Sequence, residues 1–397
     1  MRKGIFFLLV YSLVTINSFA QSGEFGDNLT WDFNSETGAL TISTISGTGS
    51  MGNLIISAPW DSFLSQITQV VVNFGVTDIG NGAFSGCRNL ASVSIPYSVT
   101  TIKHSAFTSC TALTSVFIPP SVTRIETAAF RASGLTSLNL FTTVTYIGNT
   151  AFHDTPWFRD QEDGMVRINN ILYTFKGQMP ENTSIWIPNG IEIISPYAFY
   201  YTYTNLAYVN ISNSVTTLGA HAFAACTGMT SLTIGSGVVN YGEGVFADCR
   251  ALRTIVSLNP VPANIDNSVF RYVNKNTCAL MVPDSVVSLY AIEPVWRDFK
   301  IIIEIDLDTT NFIKEPEKIS IAVYPNPTTG QLKITNYELR VENIEVFDIY
   351  GRKQKVDGKK PNGETEMIID ISHLPTGMYV VKIITERGIV VEKIIKK

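Results

Sequence analysis

The sequence predicts a mainly β protein: a solenoid of about 23-residue repeats made of short strands and helical turns, then a small antiparallel β-sandwich. Three observations predict it. The pair Ala-Phe recurs, ending at Phe84, Phe107, Phe130, Phe152, Phe199 and Phe223, with valine in place of alanine before Phe246 and Phe270. A segment spaced L-x-x-V-x-I follows most copies, as in Leu90, Val93 and Ile95. Near residue 314 the composition changes, from 22 acidic against 13 basic residues over 21–313 to 12 against 14 over 314–397.

A chain of 397 residues suits two or three domains. With 45% apolar and 16% charged residues it can bury a large core and is not a disordered chain. Its net charge of -5 supplies no basic field for a phosphate backbone, which argues against nucleic acid as a partner.

Residues 1–20 read as a signal peptide. Arg2 and Lys3 precede an apolar stretch, and Ser18 and Ala20 provide the small residues of a cleavage site. The apolar stretch is about a dozen residues, short of the roughly 20 a spanning helix needs. Cleavage is expected after Ala20. No later segment is apolar for long enough to cross a bilayer, so the expected mature chain has no integral membrane segment.

The repeat phenylalanines are separated by 23, 23, 22, 47, 24, 23 and 24 residues, where 47 spans two periods with one Ala-Phe missing. Val99 and Ile102 before Phe107 keep the same phase as Val122 and Ile125 before Phe130 and as Val215 and Leu218 before Phe223. After the phenylalanine, Leu113, Val116 and Ile118 correspond to Leu206, Val209 and Ile211. One such unit cannot cover its own apolar side, so a core exists only when neighbours stack in register. The segments are short and rich in Val, Ile and Thr, which favours strands.

The pattern IPxSVTxIxxxAFxxCxxLxxVxIP, spread over about residues 76–270, resembles the BspA-type leucine-rich repeat family. The resemblance implies a leucine-rich-repeat solenoid over 76–277. Residues 21–75 are similar to the β segment that often precedes such repeats and are expected to form an N-terminal cap; residues 278–305 are similar to their closing unit. Caps are needed because a bare terminal rung exposes apolar surface and unpaired strand edges. Residues 157–177 occupy the double-length gap. They are expected to form an irregular rung with a hairpin; the alternative is a protruding loop that contacts a partner.

Residues 306–319 are polar and expected to be a linker. Residues 320–397 contain alternating segments separated by Gly, Pro and Asn, the pattern of a small immunoglobulin-like β-sandwich. Tyr324, Pro325, Asn326, Pro327 and Gly330, then Gly351 closing Val-Phe-Asp-Ile-Tyr-Gly, then Gly377 and Tyr379, followed by a basic end, resemble the type A C-terminal sorting domain of the type IX secretion system. The resemblance implies passage through the outer-membrane type IX machinery, followed by anchoring at the bacterial surface or release.

Chemistry is sparse. None of His104, His153 and His221 has metal-ligand spacing with another ligand, and no Gly-x-Ser-x-Gly elbow accompanies the serines. Asp306, Asp308 and Asn311 lack the central glycine and distal glutamate of a calcium loop. No catalytic, cofactor-binding or metal site is expected. Cys87, Cys110, Cys226 and Cys249 each follow a repeat phenylalanine by three, an inward phase; neighbouring rungs allow bridging by distance, but in-register side chains fit a disulfide torsion poorly, which favours free thiols.

What remains is surface. In each L-x-x-V-x-I strand the residues flanking the central apolar one should face outward: Ser92 and Ser94, Ser115 and Phe117, Ser137 and Asn139, Tyr208 and Asn210, Ser231 and Thr233. Phe117, Asn139, Tyr208 and Asn210, with the aromatic cluster of Tyr200, Tyr201 and Tyr203 beside Tyr197, form the candidate binding surface. The expected function is a noncatalytic, adhesin-like secreted or cell-surface binding protein. Its solenoid would contact a host extracellular protein, a glycan or another cell; adhesion itself is implied by the resemblance. The alternatives are a structural cell-coat scaffold and a surface-displayed hydrolase.

Overall fold

The computed structural model describes residues 21–52, 58–200, 204–305, 322–335, 341–348, 353–359, 366–385 and 388–397. The expected signal peptide and linker lie outside the described residues. The chain divides into two compact units, Met1–Asp308 and Thr309–Lys397.

The first unit is a β-solenoid with two parallel strand walls joined by turns. The long-strand wall begins with an antiparallel meander, Gln21–Phe25, Leu29–Asn34 and Ala39–Thr44, and continues in parallel through Gln69–Val72 and Ser92–Ser94. It resumes as six parallel strands, Thr183–Ile187, Leu206–Ile211, Ser231–Ile234, Thr254–Ser257, Ala279–Pro283 and Ile301–Ile305. The short-strand wall uses two residues per rung, Asp78–Ile79, Thr101–Ile102, Arg124–Ile125 and Tyr146–Ile147, and later Ile193–Ile194, Thr217–Leu218 and Asn240–Tyr241.

Residues 113–118 and 135–140 keep the repeat spacing but are not strands, unlike the expectation. The two segments are linked by an isolated backbone bond, Thr136 N to Thr114 O at 3.1 Å, rather than by a ladder. In the later rungs the slot after the last apolar residue holds Pro188, Ser212 or Gly235 and the wall is continuous, so a proline there does not by itself break it.

Every repeat phenylalanine is buried. The rings form a column, stacked at 5.4 Å from Phe84 to Phe107, 5.1 Å to Phe130 and 5.6 Å to Phe152, then at 4.9 Å from Phe199 to Phe223, 5.6 Å to Phe246 and 5.6 Å to Phe270. Such contacts add about 0.5–1.5 kcal/mol each beyond burial. Trp60 lies against Phe84 at one end and Trp296 against Phe270 at the other. Each indole N–H donates to a backbone carbonyl, Ala83 at 2.7 Å and Ala263 at 2.8 Å, so neither buried N–H is orphaned.

The phenylalanine turns are also hydrogen-bonded from rung to rung. Phe84 N donates to Ala106 O, Phe107 N to Ala129 O and Phe223 N to Val245 O. In most rungs the residues two before and two after the ring are left-handed even where they are not glycine, as at Ser105, Ser109, Ala128 and Ala132 with φ of 55°, 61°, 57° and 54°. Each such residue costs roughly 1–2 kcal/mol. The conformation turns its N–H toward the next rung, as in Ser105 N to Thr127 O at 3.0 Å and Ser109 N to Arg131 O at 2.8 Å.

The double-length gap holds a complete rung. Gly164–Ile168 and Ile171–Lys176 form an antiparallel hairpin, and the second strand joins the short-strand wall beside Ile193–Ile194. The apparently missing Ala-Phe is Thr174-Phe175, which divides the interval into 23 and 24. Phe175 N donates to Ala198 O at 3.0 Å as a repeat phenylalanine should, although its ring, 5.9 Å from Phe199, is tilted by 40° and only half-buried. Phe175 follows Leu172 by only three positions, against five from Ile147 to Phe152 or Ile194 to Phe199. The left-handed turn has no room, the strand runs straight on, and the Tyr173 hydroxyl accepts the Phe152 N–H at 2.9 Å instead of a carbonyl.

The buried side chains of the solenoid form two clusters that meet in this strand: Ile171 and Tyr173 belong to the first, Leu172 to the second. All five cysteines are buried thiols. Cys110, Cys226 and Cys249 donate to the carbonyls of Phe84, Phe199 and Phe223, one rung back. Burial pushes the Cys87 and Cys226 thiols up to about 12 and Cys278 to about 11, so none is a thiolate near neutral pH.

The second unit has two four-stranded antiparallel sheets. One orders Ala322–Tyr324, Gln331–Thr335, Glu366–Asp370 and Asp357–Lys359; the other Lys353–Gln354, Val341–Asp348, Gly377–Thr385 and Gly388–Lys396. Leu332, Ile334 and Ile369 of the first sheet share one core with Val346, Val381 and Ile383 of the second.

Candidate binding surface

On the first half of the solenoid the long-strand side carries short hydroxyl side chains. Ser92, Ser94, Ser115, Ser137 and Asn139 are exposed, as the alternation requires, and Phe117 stands among them at 56% exposure. Phe117 is not isolated. Its ring is 6.5 Å from Tyr97 and 6.2 Å from Phe141, and Tyr97 and Phe141 are also exposed. Phe74 lies one rung before Tyr97, since Asp78 and Thr101 pair in the adjacent wall with the same offset, and is 77% exposed. Sequence reasoning missed Phe74, Tyr97 and Phe141 because it examined only positions inside the strands. Phe74 and Tyr97 each sit two residues beyond the strand's last apolar residue, Val72 or Ile95, a shared slot that could have revealed them.

On the second half the expectation needs correction. Asn210 and Thr233, expected to face a partner, are 6% and 2% exposed. The Tyr208 hydroxyl accepts from Asn210 Nδ2 and lies 3.2 Å from Thr233 Oγ1, while Trp186 packs edge-on against the Tyr208 ring at 5.5 Å. Trp186 is the cross-strand neighbour of Asn210, and Val256 that of Thr233. The larger side chains on both sides cover the shorter polar ones, and both of these bond the Tyr208 hydroxyl.

Tyr200 belongs to a phenylalanine turn, directly after Phe199, and not to the long-strand wall. It packs edge-on against Tyr197 at 5.0 Å and lies 6.2 Å from the His221 ring. Tyr201 and Tyr203 lie outside the described residues. The candidate residues therefore fall into three places: Phe117 with Asn139, Tyr208 with Asn210, and Tyr200.

His153 is structural. Its Nδ1 is 2.9 Å from the Tyr173 hydroxyl and its ring stacks on Phe158 at 4.2 Å. Burial lowers its pKa to about 4, so it is neutral near pH 7. Among the described residues no group of three His, Cys, Asp or Glu could hold a metal ion.

In the second unit the motif residues bind the final strand. Asn326 Oδ1 accepts from Ile395 N at 2.9 Å, Thr328 N donates to Ile395 O at 2.8 Å, and Lys397 N donates to Thr328 O at 2.8 Å. A Cβ on Gly330 would lie 2.8 Å from Ser372 Cβ, so only glycine allows this approach. Tyr379 is buried, with its hydroxyl donating to Pro375 O at 2.9 Å. Tyr324 is exposed, a Cβ on Gly377 would meet Tyr379 Cε2 only at an ordinary 3.9 Å, and Gly351 lies outside the described residues.

A solenoid of these rungs followed by a terminal β unit defines a leucine-rich-repeat protein. The BspA type leucine rich repeat region matches in six copies over residues 62–159 and 170–291, and the chain belongs to this family. The interruption falls in the hairpin rung. Residues 322–397 match the secretion system C-terminal sorting domain, which marks the protein for export and for surface attachment or secretion. Similar solved structures include a leucine-rich repeat protein from Eubacterium ventriosum, 23% identical over 67% of this chain and 78% of that one, with a TM-score of 0.37. A leucine rich cell surface protein from Faecalibacterium prausnitzii is 19% identical over 72% and 95%, with a TM-score of 0.33. None of the curated proteins matches the chain. Among the described residues no helix is long and apolar enough to cross a membrane.

Proposed function

We propose that the chain is a noncatalytic, adhesin-like binding protein whose solenoid contacts a host extracellular protein, a glycan or another cell. The observation that carries this is the exposed row of Phe74, Tyr97, Phe117 and Phe141 beside uncharged serine and asparagine side chains. Rings held in place by a rigid solenoid lose little entropy on binding, and exposed aromatics are frequent binding anchors. The domain organisation goes with this reading: caps at 21–75 and 278–305 around repeats 76–277, then a linker at 306–319. Residues 320–397 form an immunoglobulin-like sandwich read by the type IX machinery. The terminal tryptophans and the core shared by the two terminal sheets support it.

The coat-scaffold alternative draws support from the strand Ile301–Ile305, an edge of its sheet with Ile301 and Ile303 exposed, which could pair with another copy. An array of matrix proteins, mucins and glycans probed with the exported protein tests the choice. Binding that weakens at least about tenfold in a Tyr97→Ala, Phe117→Ala double variant, a loss of about 1.4 kcal/mol, supports the proposal. Absence of any binding, together with altered coat architecture on deletion, favours the scaffold. Turnover of a polysaccharide or peptide that one acidic substitution abolishes would overturn the noncatalytic reading.

A further inference from the structure

The residue following each repeat phenylalanine changes along the solenoid. It is Ser85, Thr108, Arg131 and His153 in the first half, Lys176 in the hairpin rung, Tyr200 next, then Ala224 and Ala247, and finally Arg271. These positions lie one above another, since Ala225 N donates to Ala247 O and Asp248 N to Arg271 O, both at 2.8 Å. Two consecutive alanines between a tyrosine and an arginine therefore leave a notch in the turn side. A cavity of about 480 Å³ opens there, with Tyr200 at one end, Arg250 and Arg271 at the other, and His221 and Thr227 at its sides. Gly244 makes room for the imidazole: a Cβ at that position would lie 2.6 Å from two of its ring atoms.

The charges in this notch are not balanced. Arg250 spends Nε and Nη2 on Asp248 Oδ1, at 3.0 and 2.7 Å. Among the described residues no carboxylate lies within ion-pair distance of Arg271. Asp266 is fully exposed, and its carboxyl is held low chiefly by hydrogen bonds from Ser268, with Arg271 a smaller influence. Two guanidiniums thus face a single paired carboxylate in a solenoid whose overall excess is acidic.

We propose that this notch binds an acidic sugar residue, its carboxylate or sulfate held by Arg250 and Arg271 and its apolar ring face lying on the alanine floor toward Tyr200. The proposal deepens the binding reading above and rests on it. Guanidinium forks match planar or tetrahedral oxyanions through paired N–H donors, and the cavity volume falls within the usual range for small-ligand sites. An acidic peptide fits less well. The floor is flat alanine without separate apolar pockets, and the backbone groups cited above are already bonded between rungs, leaving no free strand edge for a peptide to extend.

The test measures binding of the full exported protein to a polyuronate oligosaccharide, a sulfated oligosaccharide, neutral dextran and a poly-glutamate peptide. At least one acidic oligosaccharide is expected to bind and dextran not to; whichever acidic arm is tighter identifies the anion. Arg271→Ala, and Thr227→Glu at the exposed rim, should each weaken that binding at least about tenfold, whereas the distant Arg88→Ala should leave it unchanged. Equal affinity in Arg271→Ala and Arg88→Ala overturns the site, and poly-glutamate binding as tightly as the sugars overturns the ligand class. Loss of all acidic-sugar binding while matrix proteins still bind removes this proposal and leaves the broader one standing; failure of every ligand removes both.

Discussion

The two halves of the solenoid use one interior code and two different walls. In the first half the long-strand side has short, exposed hydroxyl residues interrupted by protruding rings, and residues 113–118 and 135–140 pass without forming a ladder. In the second half six strands run in register, and Trp186, Tyr208, Asn210 and Thr233 close over one another. The phenylalanine column is alike in both, at ring spacings of 5.1 Å for Phe107 to Phe130 and 4.9 Å for Phe199 to Phe223. Interior periodicity therefore fixes the fold without deciding what the wall offers to a partner.

The comparison can be broken most severely through the column. Phe130→Ala and Phe223→Ala should each cost about 3–5 kcal/mol, as truncation of a buried aromatic does, measured by denaturant unfolding. A loss below about 1 kcal/mol in either would mean the halves do not share the same interior logic.

The junction is the next target. Tyr173→Phe keeps the ring but removes the acceptor of the buried Phe152 N–H, and should cost about 1–3 kcal/mol with faster hydrogen exchange at that amide. An unchanged exchange rate would mean that the hydroxyl is not the partner that matters.

Tyr208→Phe sharpens the contrast between walls. It leaves Asn210 and Thr233 without their common partner and should cost about 1 kcal/mol, whereas Phe117→Ala in the exposed row should stay within about 0.5 kcal/mol. Equal losses would erase the distinction.

A pH dependence is also expected from His153. The folded state holds it neutral down to about 4, while the unfolded chain takes up its proton near 6.5. Between those values the unfolded state binds more protons, so stability falls as pH drops from about 6.5 toward 4. Replacing His153 with Gln should flatten that part of the stability profile.

Much of the interior was legible because a rung that must stack on its neighbour repeats its apolar types at fixed spacing. Phe84, Phe107 and Phe223 could be assigned to the core directly. Phe175 escaped because threonine replaces its alanine and the preceding turn is two residues shorter. The walls were less legible. Alternation identifies which side of a strand Asn210 occupies, but not that Trp186, 24 residues earlier, will overhang it. Nor could alternation within strands reveal Tyr97 and Phe141, which lie beyond the strand ends. The alanine notch needs a different reading, down the column of residues that follow each phenylalanine, where the informative signal is a small side chain between large ones.

The hairpin strand Ile171–Lys176 gives alternate residues to separate interiors, Tyr173 to one and Leu172 to the other. Under a pulling force such a rung acts as a seam: the two blocks can yield one after the other, so that a tethered molecule extends in steps and one block can keep its grip while the other absorbs the load.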